Sequence, residues 1–120
     1  MDLELNTVSY EGKWFDFGNA RLKIRPFPAS RVNLRYKEGA VILAGENTLE
    51  KFRYCLQAWE GFVSSGDAKP IELTDEIKRK VFDFRLGSVK IGEQDMTISD
   101  FVISKADELF LEMVSAEKNS

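Results

Sequence analysis

Cys55 is the only cysteine of this 120-residue chain, and the sequence contains no histidine. A catalytic thiol needs a partner that holds it as thiolate, and histidine is both the usual general base and the commonest zinc ligand. Ser-His and Cys-His catalysis, a zinc centre and an internal disulfide are therefore not expected. Cys55 falls between Phe52 and Trp59 on an apolar stripe, where a thiol packs as a small hydrophobe. Glu60 with Asp67 or Glu72 could form a carboxylate pair for acid and base work, but that chemistry requires a fixed separation across a cleft. Among twenty acids such neighbours arise by chance. Gly18, Gly39, Gly61, Gly66 and Gly87 punctuate the ends of elements and have no phosphate-loop spacing. The expectation is a protein without catalytic residues, cofactor or metal.

Cations offer a second kind of chemistry. Residues 13 to 37 carry seven Lys or Arg against one acid, Asp16, in a chain of net charge −3, so the remainder is net acidic by nine. Arg21, Lys23, Arg25, Arg31 and Arg35 could form a basic face, with Trp14, Phe15 and Phe27 near enough to stack on bases. The overall acidity and the lack of a recognised nucleic-acid module argue instead for a protein partner or a solvated sheet face. Attraction between exposed charges also fades beyond about 8 Å at physiological salt.

These residues need elements to position them. Lys13-Trp14-Phe15-Asp16-Phe17, the pair Gly18-Asn19, and Arg21-Leu22-Lys23-Ile24-Arg25 predict a β-hairpin with Leu22 and Ile24 turned to the core. Pro26 and Pro28 end regular pairing. Alternation of Val32, Leu34 and Tyr36 with basic residues, then Glu38-Gly39 and the apolar run 40–44, predicts a second hairpin, with a short helix after Pro28 as the competing reading. From Asn47 the period becomes helical: Leu49, Phe52, Cys55, Leu56 and Trp59 form one stripe, Asn47 and Glu50 cap its start, and Gly61 stops it. Trp59 is the expected anchor. Thr74 caps a second helix with a stripe of Ile77, Val81 and Phe84, ended by Gly87. Residues 88–95 read as a polar connection with a short apolar element at Val89 and Ile91. Thr97 and Asp100 open the longest helix, whose stripe of Val102, Ala106, Leu109 and Met113 is flanked by Phe101, Ile103, Phe110 and Val114.

The class is thus α+β: N-terminal antiparallel β-hairpins packed with a C-terminal group of three helices. At this length one domain is expected, 1–120, mainly β over 1–45 and mainly α over 46–117, with an extended turn at 60–73 and a frayed tail at 116–120. No run approaches the roughly 18 apolar residues that span a bilayer, and Met1-Asp2-Leu3-Glu4 does not read as a signal peptide, so a cytosolic location is expected.

Trp59-Glu60-Gly61-Phe62-Val63, then Gly66 to Pro70, Ile71-Glu72-Leu73 and Thr74-Asp75-Glu76 resemble the central signature of tailed-phage tail assembly chaperones. In that family a helix runs into a W-E-G/N-hydrophobic turn, a D-G-K-P-hydrophobic strand and a T/S-x-E helix start. Here the order is Gly66-Asp67-Ala68-Lys69-Pro70, a one-residue departure. Ala20-Arg21-Leu22-Lys23-Ile24-Arg25-Pro26 and the Phe101-Val102 to Ala106 pattern of the last helix are similar to the family as well. The resemblance implies a non-enzymatic phage or prophage protein in the bacterial cytoplasm that solubilises the tape measure protein and recruits tail tube subunits, in many phages with a frameshifted longer form. An adaptor or regulatory binding domain is the alternative, and a small nucleic-acid-binding protein comes after it.

A chaperone for a long apolar helical protein needs an apolar groove with a charged rim. The wide stripe of the last helix nominates Phe110, Met113 and Val114 as contacts with a partner or a second copy, against full burial of that helix. Arg21, Lys23 and Arg25 are the candidate charged contacts, while Trp59, Gly61, Pro70 and Thr74 are structural anchors.

Overall fold

Side-chain alternation in Lys13–Phe17 (β1) and Ala20–Ile24 (β2) produces the expected hairpin across Gly18 and Asn19, with Phe17, Leu22 and Ile24 buried. The computed structural model describes residues 11–27, 34–37, 40–43 and 46–118. Strands Leu34–Lys37 (β3) and Ala40–Leu43 (β4) pair antiparallel as the second hairpin predicts, while residues 28–33, where a short helix after Pro28 would start, lie outside the described residues. The side chains of Arg31 and Arg35 lie outside the described residues.

The helix expected to reach Gly61 stops earlier. Helix α1 is Glu46–Cys55, and Leu56–Glu60 continues as β5, which pairs antiparallel with β2 to give the sheet order β1-β2-β5. Its start precedes Asn47, whose side chain lies outside the described residues. The register shifts between Lys23 and Ile24, which face Ala58 and Leu56, so Gln57 is an extra residue in β5. That bulge turns both Leu56 and Trp59 inward, and their three-residue spacing thereby imitates a helical stripe. The carbonyls of the last turn of α1 find new donors: Arg53 O accepts from Lys78 Nζ at 2.8 Å, Tyr54 O from Arg25 Nε at 2.8 Å, and Cys55 O from Arg25 N at 3.0 Å. Gly61 therefore ends a strand. Its φ is +90°, and a Cβ there would sit 2.9 Å from Ala20 Cα, so only glycine passes this close to β2.

Residues 62–71 fold back as a narrow ribbon. Val63 bridges Pro70, Ile71 N donates to Phe62 O at 3.0 Å, and Ser64 N donates to Lys69 O at 2.9 Å. Trp59 closes the ribbon against β5 by donating from Nε1 to Ile71 O at 2.8 Å while its ring packs 4.5 Å from that of Phe62.

Thr74 caps helix α2, Asp75–Asp83, its hydroxyl accepting from Ile77 N at 3.2 Å. Val81 is buried and Ile77 half-buried as expected, but Phe84 is 72% exposed. Helical geometry ends at Asp83 and Arg85 has φ +49°, so Phe84 leaves the stripe and Phe82 packs on Phe52 instead, at 5.7 Å. Residues 88–95, expected as a polar connection, instead belong to a hairpin of Ser88–Ile91 (β6) and Gln94–Thr97 (β7). Helix α3, Ile98–Lys118, starts with Asp100 N donating to Thr97 Oγ1 at 3.2 Å. Residues 119–120, the end of the tail expected to fray, lie outside the described residues.

The architecture is α+β. Ile98, Phe101, Val102, Ala106 and Leu109 of α3 cover the inner face of β1-β2-β5, while Phe52 and Cys55 of α1 complete the core. Phe17 meets Phe101 edge-on at 5.2 Å, which ties the hairpin to α3.

Candidate partner-binding site

Burial of α3 stops at Leu109 among the residues whose side chains are described. The next turn carries Phe110 and Met113, both half-buried, and Leu111, which is 64% exposed. Apolar residues thus continue beyond the last buried position of the helix. The side chain of Val114 lies outside the described residues.

Between this turn and the sheet lies an open cleft of about 330 Å³, lined by Glu11, Gly12, Lys13, Pro26, Leu109, Glu112 and Met113. Its lining combines apolar Leu109, Met113 and Pro26 with charges of both signs on Glu11, Lys13 and Glu112. Lys13 and Glu112 approach to 3.8 Å across it with both side chains mostly exposed, a pair that contributes little to stability and can exchange for a partner's charges. Of the expected contacts, Met113 lines the cleft and Phe110 lies outside its lining. Leu111 was missed because it stands off the stripe. Its signal was the unbroken apolar run Leu109-Phe110-Leu111, more than one helix face can bury.

Arg21, Lys23 and Arg25 do not converge on this cleft. Arg21 lies on the outer face of the sheet, 2.8 Å from Glu60 and 3.9 Å from Asp16, with its guanidinium 4.9 Å from the centre of the Trp14 ring. Lys23 is half-buried opposite Trp14. Arg25 caps α1 and stacks 3.8 Å over Tyr54. The outer face of the hairpin is therefore balanced in charge where described, a poor platform for phosphate.

The remaining candidates are separated. Glu60 is committed to Arg21, while Asp67 is held in the ribbon by Ser64 Oγ and by Lys69 N at 3.3 Å. The hydrogen bond from Ser64 and then that from Lys69 N hold the Asp67 carboxyl below its ordinary range. Cys55 is fully buried, and that burial pushes its thiol up to about 12. Among the described residues no group of His, Cys, Asp and Glu could hold a metal ion, and no helix is long and apolar enough to cross a membrane.

Ala68 has φ +52°, the left-handed conformation that costs a residue with a Cβ roughly 1–2 kcal/mol. Ala68→Gly should therefore raise stability by about 1 kcal/mol, read as a higher urea midpoint with an unchanged slope. An unchanged midpoint would show that the ribbon relaxes without strain.

No protein-family profile, curated protein or solved structure matches this chain.

Proposed function

We propose that this chain is a tail-assembly-chaperone-like binding protein of a tailed phage or prophage, acting without catalysis in the bacterial cytoplasm. It binds and solubilises the tape measure protein and recruits tail tube subunits. The observation that carries the reading is the end of α3, where Leu109 and Met113 line a cleft shared with the charged residues Glu11, Lys13 and Glu112. An amphipathic helix placed there buries its anchors and exchanges charges with Lys13 and Glu112. The ribbon supports the family resemblance. With Ala68 in a left-handed conformation, Asp67-Ala68-Lys69-Pro70 follows the D-G-K-P pattern with alanine in the place of the glycine that this geometry favours.

The test is co-expression with a tailed-phage tape measure protein. The wild type should keep that protein in the soluble fraction and co-purify with it. Met113→Glu, which places charge in the cleft against an apolar partner, should weaken capture by at least about tenfold with the melting temperature within a few degrees of wild type. Failure of the wild type to capture the tape measure protein would remove the chaperone reading. Capture that survives this substitution would remove the cleft from it.

A further inference from the structure

Among the described residues β1 is an edge of its sheet, since the order is β1-β2-β5. Phe17 and Ala20 close the two-residue turn, so hydrogen-bonded pairs alternate from there: Phe17, Phe15 and Lys13 exchange bonds with β2, while the backbone groups of Trp14 and Asp16 point away from it. Those outward groups form a template for another strand.

Charges commonly guard such an edge, and here they are Lys13 and Asp16. Both are answered within the chain, Lys13 by Glu112 at 3.8 Å and Asp16 by Arg21 at 3.9 Å, which lessens their repulsion toward an incoming strand. Trp14, 39% exposed, extends the outer face, and Phe15, half-buried against Phe101 at 6.4 Å, extends the inner one.

We infer that β1 is the seam of a homodimer, its outer edge paired antiparallel with β1 of a second copy about a twofold axis at Phe15. This register is self-complementary. Residues facing each other across antiparallel strands share a sheet face, so an axis at Phe15 sets Trp14 opposite Asp16 of the second copy and Phe15 opposite its own counterpart. The outward backbone groups of Trp14 and Asp16 then bond to each other in both halves. On the inner face Phe15 meets Phe15 in a pair that is not hydrogen-bonded, where side chains come closest. Charge matches too: Lys105 lies 5.7 Å from the Phe15 ring and 3.1 Å from Glu108, and Glu112 reaches Lys13, so residues 105, 108 and 112 define the side of α3 toward this edge. The twofold brings two Lys105–Glu108 pairs, running in opposite directions, to the seam. The result is one six-stranded sheet covered by two α3 helices. The dimer stands independently of the cleft's role.

Three variants of the full chain test it, by sedimentation equilibrium at submillimolar protein and by disulfide formation. The wild type should sediment as a dimer. Asp16→Pro removes an outward N–H and no bond to β2, so it should abolish the dimer while keeping the circular dichroism of the wild type. Phe15→Cys should form an intermolecular disulfide on mild oxidation, and Lys13→Cys, held well apart from its counterpart, should not; Cys55 is buried and stays out of the reaction. A monomeric wild type, or a folded Asp16→Pro that remains dimeric, would overturn the proposal. So would a chain that gains mass only with a different protein, which would assign the edge to that protein.

Discussion

Trp59→Ala should destabilise the fold by about 3 kcal/mol, and Trp59→Phe by about 1 kcal/mol. Trp59 stands on the inner face of β5 opposite Leu22, half-buried, so its truncation costs less than that of a sealed core aromatic. It nevertheless joins two parts of the fold. Its ring packs on Phe62, which lies 6.5 Å from Phe17 of the core, and its Nε1 donates to Ile71 O at the far side of the ribbon. Alanine removes both links, whereas phenylalanine keeps the ring contact and loses the hydrogen bond. Urea unfolding of the two variants separates packing from hydrogen bonding, and proteolysis between Ser64 and Lys69 should quicken in both. Equal losses for Phe and Ala would mean that the bond to Ile71 O, rather than the ring, holds the ribbon.

That same residue marks where sequence and structure part. Strands β1 and β2 were legible because alternation, a Gly-Asn turn and two flanking prolines agree, and the caps at Thr74 and Thr97 because an oxygen there can meet only a few backbone donors. The region around Leu56 was not, because the apolar spacing Leu56–Trp59 fits one helical turn and also fits a strand with one extra residue. What decided it was a long-range need: β2 has a second edge to satisfy, and Arg25 and Lys78, distant in sequence, cap the carbonyls left when α1 ends. The hairpin at 88–97 was hidden by its polar outer face, although Val89 and Ile91 before Gly92 carry a strand-and-turn signal. At the candidate site, Met113 was visible from helical periodicity. The cleft was not, since Gly12, Lys13 and Pro26 reach it only through the fold.

Above pH 9 the wild type should lose stability faster than a Cys55→Ala variant. The Cys55 thiol is pushed up to about 12 from an ordinary 9.0, chiefly by burial, because ionisation would place a thiolate in the core beneath Phe52 and Leu56. The unfolded chain releases this proton from about pH 9, while the folded chain keeps it. The unfolded state then binds fewer protons, and linkage makes stability fall with rising pH. The contribution is complete below pH 9 and declines by about 1.4 kcal/mol per unit between about 9 and 12, reaching about 4 kcal/mol at the upper end. Lys78 acts in the opposite direction. Partial burial beside Arg25 and Arg53 lowers its value, so the unfolded chain holds that proton longer. A pH series on the wild type alone mixes the two effects, but the difference between wild type and Cys55→Ala isolates the thiol. Urea midpoints at pH 8, 9, 10 and 11 should converge as the series rises, the alanine variant starting lower because it leaves a small cavity. Parallel curves would place the thiol in contact with solvent, and rapid labelling of the native protein at neutral pH would show the same.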